Sequence, residues 1–151
     1  MPLSKIKRIL LAEDNENDVE LTLAALQEYR LSNQVTVVRD GADALDYIYQ
    51  RGSFANRAKG LPCVVLLDLK MPRVDGLEVL RQMKADPAFR HIPVVMLTSS
   101  REEKDLVASY DLGVNGFVVK PVDFEQFLQA IRAVGMFWAI VNEPPLTKSR
   151  K

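Results

Sequence analysis

The sequence predicts a doubly wound α/β domain of order (βα)5, with five parallel strands in one sheet and helices on both of its faces. Two observations carry this prediction. Short unbroken apolar runs alternate with amphipathic stretches along the 151 residues, and strands that are apolar throughout belong to parallel sheets covered on both sides. Four of those runs are also followed at once by polar residues, as expected when strands deliver side chains to one common edge. Right-handed crossovers make this the economical topology.

The elements follow in order along the chain. Ile9-Leu10-Leu11-Ala12 reads as the first strand. Residues 16–29 read as a helix, with Val19, Leu23 and Leu26 at four- and three-residue spacings. Val35-Thr36-Val37-Val38 is the second strand, and Asp40 can cap a helix running to about Tyr49. A polar loop around residues 51–61 precedes the third strand, Cys63-Val64-Val65-Leu66-Leu67. Leu77, Leu80 and Met83 mark a helix that ends before Pro87. Residues 93–97 form the fourth strand. A helix over 102–111 is stopped by Gly113. Phe117-Val118-Val119 is the last strand, and Asp123 can cap a final helix whose inner face includes Phe124, Leu128 and Ile131. Residues 1–134 thus form the domain, and 135–151 form an extension made of the end of the last helix plus an arm.

Composition narrows the function. A chain that is 48% hydrophobic and 26% charged fits one soluble core. Lys+Arg and Asp+Glu both number 20, so no overall charge draws the chain to nucleic acid or to an acidic membrane. Cys63, the single cysteine, excludes an intrachain disulfide, is expected to pack as a small hydrophobe, and fits a cytoplasmic setting. The N-terminus lacks the basic-then-apolar layout of a leader. No apolar run approaches the roughly 18 residues of a membrane span. The single histidine, His91, excludes a multi-histidine metal site and reads as a surface residue ahead of a strand.

The polar residues behind the strands carry the chemistry. Glu13-Asp14 follow the first strand, Asp68 the third, Thr98-Ser99 the fourth and Lys120-Pro121 the fifth. Each has an ordinary local reading as a helix cap or a turn. In a parallel sheet they share one edge, which is where doubly wound folds bind ligands. Three carboxylates brought that close raise one another's pKa, and a divalent cation relieves the repulsion. Oxygen ligands with few protein donors suit Mg2+. Lys120 adds a movable positive charge and Thr98 a hydroxyl donor. A carboxylate nucleophile, a metal, a lysine and a hydroxyl together form a phosphoryl-transfer kit, with Asp68 as the acceptor.

These same segments resemble a known family. Ile9 to Asn15, Leu66 to Gly76 with its Asp-Leu-Lys-Met-Pro-Arg-Val-Asp-Gly run, Met96-Leu97-Thr98-Ser99 and Gly116 to Pro121 resemble the receiver domain of two-component response regulators over roughly residues 6–134. The resemblance implies a flavodoxin-like receiver fold. It also implies that Asp68 accepts a phosphoryl group from a sensor histidine kinase. Asp14, Asp68 and the backbone carbonyl of Lys70 would ligate Mg2+, and Glu13 would act mainly through a metal-bound water. Lys120 would pair with the phosphoryl group. Thr98 would move toward it, with Ser99 beside it, and Phe117 would rotate inward as a switch aromatic. The surface so biased is the one formed by the helix over 102–111, the last strand and the final helix. Pro121, Asp75 and Gly76 are expected to be structural: Asp75 caps a helix and Gly76 permits the turn before it. Lys70, Arg73 and Ser99 are expected at the pocket rim. Such a chain is no enzyme toward outside substrates, although it catalyses its own Mg2+-dependent phosphorylation and dephosphorylation.

Two further segments sharpen the resemblance. Phe54-Ala55-Asn56, and Phe137 to Val141 followed by Pro144-Pro145, resemble the stand-alone response regulators of cyanobacterial and bacterial phytochromes, which implies a phytochrome-type kinase as donor. Too few residues follow the last helix for a DNA-binding domain, so the expected output is contact with a downstream protein or onward relay of the phosphoryl group. Met136, Phe137, Trp138 and Ile140 are too apolar for a solvated tail and are expected to form a homodimer interface, the alternative being that they fold back on the domain. A haloacid-dehalogenase-like phosphatase would need an Asp where Lys70 stands. A flavin carrier would not put Glu13-Asp14 in its phosphate loop. A receiver-like module that is never phosphorylated would not need the full set of acidic pair, acceptor, Thr98 and Lys120.

Overall fold

The computed structural model describes residues 8–27, 34–98, 111–120 and 122–133. The elements are β1 (Ile9–Ala12), α1 (Glu16–Gln27), β2 (Val35–Val38), α2 (Gly41–Tyr49), a 3-10 turn (Gly52–Phe54), β3 (Val64–Asp68), α3 (Gly76–Ala85), β4 (Val94–Thr98), β5 (Gly116–Val119) and α4 (Phe124–Ala133). The expected helix over 102–111 falls outside the described residues except for Asp111, which is helical. Ser99, Pro121, Met136, Phe137, Trp138, Ile140 and the whole extension also fall outside them.

The strands form one sheet in the order β2-β1-β3-β4-β5, and all four neighbouring pairs run parallel. This is the expected doubly wound fold. β1, β3 and β4 are buried along their whole length, which is why they read as unbroken apolar runs. Alternate residues of each strand feed opposite layers. Leu10, Ala12, Val65, Leu67 and Met96 pack with Ala44, Ile48, Val79, Leu80 and Met83 of α2 and α3. Ile9, Leu11, Val64, Leu66 and Leu97 pack with Val19 and Leu26 of α1 and Phe127 of α4. Each fully buried Leu or Ile contributes roughly 1.5–3 kcal/mol, so these two layers hold the strand ends in place.

Helix starts are capped by side chains. Asp40 accepts from the Asp43 amide (2.8 Å), Asp75 from Glu78 (2.9 Å) and Asp123 from Gln126 (2.8 Å). These three are the caps expected from the sequence; Asn15, a residue type equally favoured ahead of a helix, likewise caps α1 by accepting from the Asp18 amide at 3.0 Å. Gly113 has φ +89°, the left-handed backbone expected of a helix stop.

Two expectations need correction. β3 and β4 each start and end one residue later than expected, so Asp68 and Thr98 are themselves strand residues. The ladder continues through the Leu69 amide, which donates to Leu97 at 3.0 Å. Gly76 is required by close approach and not by a turn conformation: a Cβ there would lie 2.2 Å from the carbonyl oxygen of Asp68. On the inner face of α4, Leu128 is buried as expected, with Phe127 (1% exposed) and Ala130 buried beside it, while the side chains of Phe124 and Ile131 fall outside the described ones.

Candidate functional site

Register brings the polar residues together. β1 and β3 are neighbours with Ala12 opposite Leu67, so Glu13 and Asp68 follow as the next pair along. The chain leaves β1 to one side for β2 and crosses to the other side for β3. The two acids therefore sit at the point where strand order reverses, the usual ligand crevice of an open α/β sheet. On β4 and β5, Thr98 pairs with Val119, and the Lys120 amide donates to the Thr98 carbonyl at 2.7 Å. Ladder bonds alone thus deliver Glu13, Asp68, Thr98 and Lys120 to one edge.

Burial there is severe for charged groups. Glu13 has no exposed surface, Asp68 is 5% exposed and Thr98 is 3% exposed. The Lys120 ammonium lies among them. Its Nζ donates to Glu13 Oε1 at 3.0 Å, Glu13 Oε2 at 3.2 Å and Asp18 Oδ2 at 2.8 Å. It also pairs with Asp68 Oδ1 at 3.2 Å. Glu13 is further fixed by its own backbone, whose amide donates to Val38 at 2.9 Å, and by the Asn15 amide, which donates to Glu13 Oε2 at 3.2 Å.

Burial pushes the Glu13 carboxyl up to about 7, with the Asp68 charge adding to the rise and Lys120 opposing it. Burial also raises Asp68, again against the pull of Lys120. For Lys120 burial acts downward, but hydrogen bonds to Asp18 and Glu13 and the charge of Asp68 outweigh it, so the ammonium is held firmly protonated. The cation is therefore permanent, and the two buried acids carry the unfavourable charge.

Glu13, Asp14 and Asp68 each offer a carboxylate oxygen, all within 4.8 Å of one another, the one such group among the described residues. Asp14 is the exposed member. A hard-oxygen set of excess negative charge, open to solvent on one side, fits a divalent cation that retains waters.

The remaining expected residues divide. Asp75 and Gly76 are structural, as described above. Phe117 is half-buried and packs against the α2–α3 layer, opposite Met96. Lys70 is exposed two residues past Asp68. Arg73, expected at the rim, has its guanidinium taken up elsewhere. Nε and Nη2 fork onto Asp40 at 2.8 and 3.1 Å, and Nη2 also reaches Asp43 at 3.3 Å. This ties the loop after β3 to the start of α2, with Arg73 in a left-handed backbone at φ 68°. Asp18 is the residue of this pocket that the sequence pattern does not single out. It reads locally as an acid favoured in the first turn of a helix; its place four residues after Asp14, on a helix leaving the same edge, is the available signal.

Comparison with known proteins bears on this site. Residues 9–132 match the family model described as the response regulator receiver domain. The response regulator Rcp1 of Synechocystis sp. is 36% identical over 132 residues, spanning 87% of this chain and 88% of that protein. The solved structure of the bacteriophytochrome response regulator AtBRR is 62% identical with a TM-score of 0.83, covering 91% of this chain and 99% of that one. A crystal structure of the Mn2+-bound form of Rcp1 superposes with a TM-score of 0.69 at 33% identity, covering 94% of this chain and 99% of that one.

Proposed function

The chain belongs to the response regulator receiver domain family, and on that premise we propose that it accepts a phosphoryl group on Asp68 from a phosphohistidine of a sensor histidine kinase. The observation that carries this reading is the buried ion pair between Lys120 and Asp68 beside the Glu13–Asp14–Asp68 cluster. A carboxylate oxygen of Asp68 forms the new O–P bond while the P–N bond to the kinase histidine breaks, its electron pair leaving with the ring nitrogen. Lys120 is positioned to neutralise one phosphoryl oxygen, and the Thr98 hydroxyl is the nearby donor for another. Glu13, Asp14, Asp68 and the backbone carbonyl of Lys70 would hold Mg2+, with Glu13 acting mainly through a bound water. When bound, the ion supplies further charge neutralisation at the transferring group. The chain itself catalyses both the gain and the loss of the phosphoryl group, and it turns over no other substrate.

The similarity to AtBRR, named a bacteriophytochrome response regulator, supports a phytochrome-type kinase as donor. On that reading light is the upstream signal. The signal passes on by contact with a downstream protein, through movement of Thr98 and Phe117 toward the surface around β5 and α4. The apolar residues Met136, Phe137, Trp138 and Ile140 are proposed to close a homodimer. A cytoplasmic setting is proposed, which the single cysteine fits; among the described residues no helix is long and apolar enough to cross a membrane.

Incubation with acetyl phosphate and Mg2+ followed by intact-mass measurement tests the central claim. One added phosphoryl group, absent in Asp68→Asn, is expected. No gain from either acetyl phosphate or a cognate kinase would overturn it. Light scattering with and without beryllofluoride, a phosphoryl mimic, tests the dimer, which a strictly monomeric protein would exclude.

A further inference from the structure

We infer that Asp18 is a positioning residue that anchors the Lys120 ammonium in the pocket while the metal-binding carboxylates change state. The inference rests on the proposed phosphoacceptor reading and deepens it. An ammonium has three N–H donors. Here three carboxylates from three elements receive them: Glu13 behind β1, Asp18 in the first turn of α1 and Asp68 at the end of β3. The contact to Asp18 is the shortest of these, at 2.8 Å. The Lys120 side chain is only 9% exposed and that of Asp18 24%, so solvent is a poor substitute partner.

The three partners are not equivalent. Glu13 and Asp68 belong to the carboxylate cluster that fits a divalent cation, and Asp18 does not. A cation entering that cluster draws on the charge of Glu13 and Asp68, and phosphorylation then converts Asp68 into a mixed anhydride with phosphate. Asp18 is the one partner of Lys120 in this trio that neither event claims. Its backbone is fixed independently, because the Asp18 amide donates to the capping Asn15 side chain at 3.0 Å. A lysine on a flexible four-carbon stem otherwise has little to keep its head in one place. With Asp18 holding one N–H, another stays directed at the Asp68 position, where a phosphoryl oxygen would arrive.

The experiment compares the full chain with Asp18→Ala and Asp18→Asn. The first readout is the Lys120 ammonium signal in 1H–15N NMR spectra of the metal-free protein, assigned through Lys120→Arg. It should be visible in the wild type through slow hydrogen exchange, broadened away in Asp18→Ala, and restored in part by Asp18→Asn, which keeps an oxygen acceptor. The second readout is beryllofluoride affinity in Mg2+ by 19F NMR. Asp18→Ala should weaken it about fivefold, the effect of one lost hydrogen bond, with Asp18→Asn between. An unchanged ammonium signal in Asp18→Ala would overturn the inference, as would beryllofluoride affinity equal to or tighter than wild type. Failure of the wild type to bind beryllofluoride would instead sink the phosphoacceptor reading, and the ammonium signal would still judge Asp18.

Discussion

Replacing Glu13 by Gln should stabilise the metal-free protein above pH 7 while impairing its cation site. Glu13 is wholly buried, and burial with the neighbouring Asp68 charge raises it from 4.5 to about 7. The sign follows from linkage. An acid whose folded pKa is raised contributes stability that is fully present below its unfolded pKa and is lost as pH rises through the folded value. A tenfold weakening of an acid corresponds to about 1.4 kcal/mol, so ionised Glu13 destabilises the metal-free fold at pH 8 by at most on the order of 3 kcal/mol. Gln removes the charge but accepts fewer bonds from Lys120, so a gain of about 1–2 kcal/mol is expected, or roughly 2–8 °C in a domain of this size. At pH 4.5 the ionisation contribution to the gain shrinks to under about 0.5 kcal/mol. Urea or thermal unfolding in chelator at the two pH values measures both numbers. With saturating Mg2+ the order should reverse, since wild type gains about 2.7 kcal/mol at a hundredfold excess over Kd. A Gln variant less stable than wild type in chelator at pH 8, or a difference independent of pH, would refute the reasoning.

Cation affinity should fall as pH drops below about 7, because a proton on Glu13 competes with the metal; Mg2+ titration by calorimetry at pH 6 and 8 checks this. Gly76→Ala forces a Cβ to 2.2 Å from the Asp68 carbonyl, so it should cost about 1–3 kcal/mol in urea unfolding and slow phosphorylation by displacing Asp68. Arg73→Gly should be more stable than Arg73→Ala, since both lose the fork to Asp40 but only Gly relieves the φ of 68°; urea unfolding of the two variants checks the order. Thr22→Val should be neutral or stabilising by up to about 1 kcal/mol in the same assay, because the fully buried Thr22 hydroxyl has no hydrogen-bond partner among the described residues; a loss of more than that would mean the hydroxyl has a role.

What was legible in the sequence was whatever the parallel sheet dictates. Apolar runs gave β1, β3 and β4 because those strands are buried on both faces. A common edge then made Glu13, Asp68, Thr98 and Lys120 converge across more than 100 residues, without any local signal joining them. Legibility failed where two explanations fit one residue. Asp18 satisfied the helix dipole and so needed no further role, although it makes the shortest bond to Lys120. Gly76 looked like a turn glycine because it precedes a helix, yet what excludes a side chain is the Asp68 carbonyl, a contact set by tertiary packing.

The site's charges also explain why its state can reach the rest of the molecule. Four acids, Glu13, Asp14, Asp18 and Asp68, gather around the single ammonium of Lys120, so the metal-free pocket is held with unrelieved repulsion. A proton on Glu13 or a cation among the carboxylates relieves it, and the two oppose each other. Lys120 is bonded through its backbone to Thr98, and Thr98 ends a strand whose every residue is buried. The Lys120 backbone is thus fixed by the ladder between β4 and β5, while its ammonium, on a flexible stem, is placed by its carboxylate partners. On the proposed phosphoacceptor reading, the well-packed layers beneath it would leave little room for gradual yielding and would favour a two-position response at Thr98 and Phe117 over a graded one.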